Sequence, residues 1–242
     1  YKDLWMNAQK TDKTEHIFAL QHSLSYLPSQ YGISYLGKEE NGWYDYVGDP
    51  VFFKNFPDDK RKKFCYVTST VDTQGNQIEW EDFDIGAPFI RKYRNYGGCG
   101  TYGIEGNTAT RSSLSEGLTP IYRFADVLLI YAEASNKAEG SPNTLAYKCL
   151  NRVRDRAFGD QSHQYAGLTP EKFADAVFDE FGWENVFEFK RWFQLVRTEK
   201  VDEAVGKNTA IGARLNANKE NYLFPIPVRQ CELRGWKNNP GY

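Results

Sequence analysis

Residues 119–138 read Thr-Pro-Ile-Tyr-Arg-Phe-Ala-Asp-Val-Leu-Leu-Ile-Tyr-Ala-Glu-Ala-Ser-Asn-Lys-Ala. Thr119 offers a hydroxyl to cap a helix, and Pro120 suits the first helical position, where no N–H is needed. Ile121, Ala125, Leu128 and Ala132 then recur at spacings of four, three and four, the period of one buried helical face. Phe124, Leu129 and Tyr131 widen that apolar stripe, leaving Arg123, Asp126 and Glu133 as polar positions. The spacing predicts a long helix with neighbours on more than one side.

The downstream residues supply such neighbours. Gly140 ends the helix, and Ser141-Pro142 repeats the cap-plus-proline start for a second, whose Ala146, Cys149, Leu150, Val153 and Ala157 share a face opposite Arg152, Arg154 and Arg156. The short turn predicts an antiparallel hairpin, as in a helical-repeat unit, packed through Leu128, Ala132, Cys149 and Val153. Thr169-Pro170-Glu171 opens a third helix, with Phe173, Val177, Phe181 and Phe187 continuing a stripe as far as Arg197 and a bend at Gly182. Beyond it, residues 207–221 are polar, and Tyr222-Leu-Phe-Pro-Ile-Pro-Val reads as extended, because each proline disfavours helix in the residue before it.

Upstream, a short strand is expected around Ile17–Gln21, a second over Phe64–Thr70 and a third over Phe89–Tyr93, with 72–86 an acidic hairpin or loop. Residues 28–64 read as irregular backbone carrying rings: Trp43, Tyr44 and Tyr46 crowd between Gly42 and Gly48, followed by Phe52, Phe53 and Phe56. Residues 95–117 have no periodicity, and so long a connection is usually functional or mobile. The expected fold class is mainly α with short β-strands and long loops. Its expected parts are a loop and short-strand segment over 1–118, a helical segment over 119–198 and an extended tail over 199–242.

The net charge of −2, with both signs interspersed, offers no basic field for nucleic acid and no polybasic run for an anionic membrane. Aromatic residues make up 16% of the 242 residues, with 16 Tyr, 16 Phe and 6 Trp against one Met, so some rings are expected at the surface. The chain starts Tyr-Lys-Asp-Leu-Trp, with no initiator Met and no apolar leader, which reads as a fragment or mature form whose targeting segment lies upstream. No run approaches a membrane-spanning length, so membrane attachment is expected only through a missing part. Cys65, Cys99, Cys149 and Cys231 are far apart, there is no C-x-x-C pair and there are three His, so neither a metal site nor a cofactor is expected. The four cysteines allow two disulfides in three pairings, but Cys149, on a helical face, reads as a small core residue.

Five ordered blocks carry a resemblance: Arg123-Phe-Ala-Asp-Val-Leu-Leu-Ile-Tyr-Ala-Glu-Ala, Asn151-Arg-Val-Arg-Asp-Arg-Ala, Glu184-Asn-Val-Phe-Glu-Phe-Lys-Arg-Trp-Phe-Gln-Leu-Val-Arg, Leu223-Phe-Pro-Ile-Pro and Asn239-Pro-Gly-Tyr. Together they resemble the C-terminal half of the SusD/RagB family, with weaker likeness at Glu15-His-Ile-Phe-Ala-Leu and Asp59-Lys60-Arg61. The resemblance implies a SusD-like fold, a tetratricopeptide-like helical hairpin plus irregular ligand-binding loops. It also implies a non-enzymatic surface lipoprotein that binds glycans, or in some relatives peptides, over a SusC-like TonB-dependent transporter in the outer membrane. The family's N-terminal half, with its lipid-bearing cysteine, has no counterpart here. Where the family usually has Glu-Arg, Glu180 is followed by Phe181, which implies packing in place of a salt bridge.

Two constellations compete for function. Glu180, Glu184 and Glu188 lie four apart on one helical face, and paired carboxylates are how glycosidases work. The same spacing fits the anionic half of a helix-joining ion network with Arg152, Arg154, Arg156 and Arg191, and no nucleophile with its base accompanies it. The stronger ligand-binding candidates are Trp43, Tyr44 and Tyr46, whose rings can stack on sugars, with Asp45 and Asp49 as hydroxyl acceptors. Tyr96 and Tyr102 carry the same reading in the glycine-rich stretch. A glycan hydrolase, a peptide-binding module and a purely structural module are the alternatives to a glycan-capturing protein.

Overall fold

The computed structural model describes residues 1–5, 14–23, 25–26, 34–71, 74–94, 118–206 and 219–242. They fall into two units, Tyr1–Phe189 and Lys190–Tyr242. The first begins with a 3-10 turn, Lys2–Leu4, and strand β1, His16–Leu20. Helix α1, Pro50–Asn55, opens where Asp49 precedes a proline: the Asp49 carboxylate accepts the Phe52 N–H at 2.9 Å, and Pro50 has no donor to satisfy. Part of the segment read as irregular is therefore helical, and Phe53 and Phe56 are buried.

Asp59 caps α2, Lys60–Cys65, by accepting the Arg61 and Lys62 N–H groups. This cap extends the helix into the first part of the strand expected over Phe64–Thr70. What remains is β2, Tyr66–Val67, and β3, Ser69–Val71. β3 pairs antiparallel with β4, Gln77–Glu79, so the acidic segment is a hairpin, and β2 pairs antiparallel with β5, Phe89–Ile90. The aromatic surplus goes largely inward here. Trp5, Tyr35, Phe53, Phe56, Phe64, Tyr66, Trp80, Phe83, Phe89 and Tyr93 form one core with Leu4, Cys65, Val67, Ile90, Leu118 and Val186.

The segment first read as one helix begins as a strand. β6, Thr119–Arg123, pairs antiparallel with β1, setting His16 opposite Arg123 and Leu20 opposite Thr119. Pro120 is tolerated because each strand of a two-stranded ribbon is an edge. Helix α3, Phe124–Glu139, starts only after the pairing ends, and Thr119 is not its cap. Its first donors go to tertiary partners: the Phe124 N–H to the Glu15 carbonyl at 2.7 Å and the Ala125 N–H to the Glu15 carboxylate at 3.2 Å. With Ile121 off the helix, the buried face is centred on Ala125, Leu129, Ala132 and Asn136. Leu128 is half-buried at its margin, and Val127, Ile130 and Tyr131 are exposed on the outer side.

Gly140 ends α3 in the left-handed conformation. Helix α4, Thr144–Phe158, is capped by Asn143, which accepts the Ala146 N–H at 2.8 Å, and not by Ser141 as the sequence suggested. Helix α5, Pro170–Glu184, has the expected Thr169 cap and Pro170 start. Ala125, Leu129 and Ala132 pack with Ala146, Cys149, Leu150 and Val153 of α4 and with Phe173, Ala176 and Val177 of α5, and Phe181 packs at the edge of this cluster. Cys149 is a core residue, and Cys65, Cys149 and Cys231 are free thiols.

Helix α5 does not run on to Arg197. Gly182 lies inside it, and the chain breaks after Glu184, where Phe187 and Phe189 adopt φ of +64° and +60°. The second unit holds α6, Arg191–Arg197, α7, Val201–Gly206, a 3-10 turn, Lys219–Tyr222, and α8, Val228–Arg234. Residues 223–227 are non-helical, as their prolines require, and among the described residues of the tail read as extended the helical pieces are α7, the turn and α8. Among the described residues no helix is long and apolar enough to cross a membrane.

Candidate functional site

The aromatic loop is held from below by a buried ion pair. Glu40, 5% exposed, takes both Arg94 Nη groups at 2.9 and 2.6 Å and the Thr70 hydroxyl at 3.0 Å. Burial alone would raise the Glu40 carboxyl, but the Arg94 guanidinium outweighs it and holds the group below its ordinary range. The backbone then folds back on itself, with the Gly42 N–H donating to the Gly37 carbonyl at 2.8 Å and the Tyr44 N–H to the Leu36 carbonyl at 3.0 Å. A Cβ at Gly42 would come within 2.1 Å of the Leu36 oxygen, so only glycine lets the loop approach this closely.

From this base Trp43, Tyr44 and Tyr46 project, exposed by 57, 36 and 50%, and Asp45 is exposed among them. The Tyr46 ring meets the buried Tyr35 edge-on at 5.7 Å and the half-exposed Phe189 at 5.8 Å. Asp49 is half-buried, and one of its oxygens is engaged in capping α1. Beside Tyr44 lies a shallow depression lined by Lys38, Glu39, Tyr44, Asp84, Ile85 and Phe89. Tyr96 and Tyr102 lie outside the described residues.

The glutamates are enclosed. Glu180 meets Arg61 and Arg154 at 2.7 Å each, one through each oxygen. Glu184 meets Arg123 at 2.8 Å, Arg156 at 2.5 Å and Arg61 at 3.1 Å. Glu188 meets Lys92 at 2.5 Å and takes Arg123 through both oxygens at 2.8 and 2.9 Å. All three are at most 4% exposed, and every carboxylate oxygen has a cation against it, which leaves no room for water or sugar. Burial would raise the Glu184 carboxyl, but Arg156, Arg123 and Arg61 together hold it well below the carboxylate range. The same burial lowers the Lys92 ammonium, against the pull of Glu188, and pushes the Cys65 thiol up to about 11. Among the described residues no cluster of His, Cys, Asp and Glu could hold a metal ion.

The sequence model of the SusD family matches residues 38–242. This chain belongs to the SusD family. It is 34% identical to SusD-like protein P2 of Formosa agariphila over 175 residues, which are 68% of this chain and 32% of that protein. A SusD superfamily protein from Parabacteroides distasonis superposes on all of the chain with a TM-score of 0.73 at 25% identity, using 53% of its own length. A SusD-like carbohydrate binding protein from Bacteroides fragilis superposes on 96% of the chain with a TM-score of 0.74, using 56% of its own length; at 18% identity this likeness concerns the fold. The chain thus spans about a third of the curated relatives' length and about half of the solved structures'.

Of the four arginines expected in the ion network of this SusD-family chain, Arg154 and Arg156 enter it through Glu180 and Glu184. Arg152 lies over the Phe124 ring at 5.0 Å, and one Arg191 Nη donates to Gln194. The other cations that hold the glutamates, Arg61, Lys92 and Arg123, come from segments read as a loop end, a strand and a helix start. No helical spacing could point to them, since they are 119, 96 and 65 residues from their partners Glu180, Glu188 and Glu188.

Proposed function

We propose that this SusD-family chain captures glycans with the loop carrying Trp43, Tyr44, Asp45 and Tyr46. It does so as part of a surface lipoprotein that passes oligosaccharides to a SusC-like TonB-dependent transporter in the outer membrane. The observation that carries this reading is the pairing of three exposed rings with a rigid base: the loop is tied to Glu40, Leu36 and Gly37, so its rings stay available without a core to bury them. Apolar sugar faces stack on such rings, and the Asp45 carboxylate beside them accepts hydroxyls. The name of the Bacteroides fragilis neighbour, a SusD-like carbohydrate binding protein, supports the glycan as ligand class. In this reading the Glu180, Glu184 and Glu188 cluster is scaffold, the chain is not a hydrolase, and no cofactor takes part.

Native electrophoresis in gels containing a panel of polysaccharides tests the reading. Retardation by at least one glycan, with no new reducing ends after prolonged incubation, is expected. Release of reducing ends that disappears in a folded Glu188→Gln variant would replace binding by hydrolysis. Extraction of the full-length protein from native membranes in mild detergent should bring a β-barrel partner with it, and its isolation alone would count against the transfer step.

A further inference from the structure

Phe189 shares an unusual backbone state with a residue of the aromatic loop. Tyr44 has φ of +41° and Phe189 has φ of +60°, in the left-handed region that bulky side chains rarely occupy. Such strain persists only where the surroundings over-determine it, and it gathers at ligand sites. Here the surroundings are identifiable. The preceding residue, Glu188, is locked to Lys92 and Arg123, and its N–H donates to the Asn185 carbonyl at 3.0 Å. Two residues earlier the same turn sends Phe187 inward, onto Tyr66 at 4.9 Å, whereas Phe189 is turned outward and left 49% exposed.

The outward ring stands at 85° to Tyr46 with centroids 5.8 Å apart, and Tyr46 is itself braced by buried Tyr35. Two half-exposed rings at a right angle make a corner and not a flat strip. A sugar stacked on one wall has its edge against the other, and a second sugar can stack on that second wall only if its plane is turned from the first. Flat ribbon chains, whose rings are nearly coplanar, can use one wall at a time.

We infer that Phe189 is a carbohydrate-contacting residue that forms, with Tyr46, a two-walled corner favouring branched or turned glycans over flat linear ones. The inference rests on the glycan-binding reading above and adds to it a residue from a segment 143 positions away in sequence from Tyr46.

The test is native affinity electrophoresis of the 242-residue chain and its variants. The gels contain glycogen, branched α-mannan or arabinogalactan as turned and branched probes, and linear β-mannan or carboxymethylcellulose as ribbons. Expected is stronger retardation by at least one probe of the first group than by either ribbon. Phe189→Gly should weaken that binding about fivefold, the worth of one aromatic contact, while Phe189→Tyr keeps it. Glycine adopts positive φ freely, so Phe189→Gly should leave the melting temperature unchanged or raise it, whereas a purely structural Phe189 would lower it. Unchanged binding in Phe189→Gly, or ribbons bound as well as the branched probes, overturns the corner. If Trp43→Ala abolishes binding while Phe189→Gly does not alter it, the corner fails and the loop stands. If no probe retards the parent chain, both fail.

Discussion

The enclosed face of α5 with the turn after it and the loop at 43–46 are built from side chains that look equally functional in isolation, and their surroundings differ: the carboxylates are buried among cations and the rings are exposed. On α5 and the turn that follows it, three carboxylates that could resemble an acid and base pair are buried and fully matched: Glu180, Glu184 and Glu188 share Arg61, Lys92, Arg123, Arg154 and Arg156 at 2.5–3.1 Å. In the loop, three rings that could serve a core are held outside it by hydrogen bonds of the backbone beneath them. A matched buried ion set joins segments distant in sequence, whereas the exposed rings are, in the reading proposed above, a surface for a ligand. Substitutions should therefore separate the two regions, with losses of stability in one and losses of binding in the other.

The largest effect belongs to Arg123, which touches Glu15, Glu184 and Glu188 at once. Arg123→Ala strands buried carboxylates and should cost at least about 3–5 kcal/mol in a denaturant melt. A loss below about 1 kcal/mol would mean that the network is an ornament of the scaffold and not its joint. Next comes the helix core. Leu129→Ala, at a fully buried position, should cost about 2–5 kcal/mol, and Leu128→Ala distinctly less. The reverse order would return the face to the one that spacing alone suggests.

Acid should weaken the same joint. Because the folded Glu184 carboxyl is held below its unfolded value, its contribution is complete above roughly pH 4.3, the unfolded carboxylate range, and is lost progressively as the pH falls toward the folded value. Denaturant melts between pH 6 and pH 3 should show that decline, and a flat profile would deny the pairing. At the end of the loop, Asp49→Ala removes the cap of α1 and should cost about 0.5–2 kcal/mol. If it also weakens glycan binding, Asp49 serves both the fold and the ligand.

What the sequence makes legible follows interaction range. The cap of α5 at Thr169, the core role of Cys149 and the crowding of rings at 43–46 are local signals, and each has its counterpart in the structure. The start of α3 is different. Thr119 and Pro120 are a sound local helix start, but pairing with β1 and capping by Glu15, more than 100 residues away, override them. Arg61 and Lys92 escape helical periodicity for the same reason, since their partners are brought near only by folding. Phe189 falls inside the helix that spacing alone runs on to Arg197 and nothing local singles it out; the left-handed break at 187–189 sets it beside Tyr46.

The most direct measurement is glycan affinity and melting temperature taken together for Trp43→Ala. The ring is 57% exposed, so its removal should leave the melting temperature unchanged while weakening binding to a retained polysaccharide by on the order of 1 kcal/mol, about fivefold. Unfolding of the variant, or retention equal to the parent on every glycan that binds it, would contradict the assignment of the loop as the binding surface.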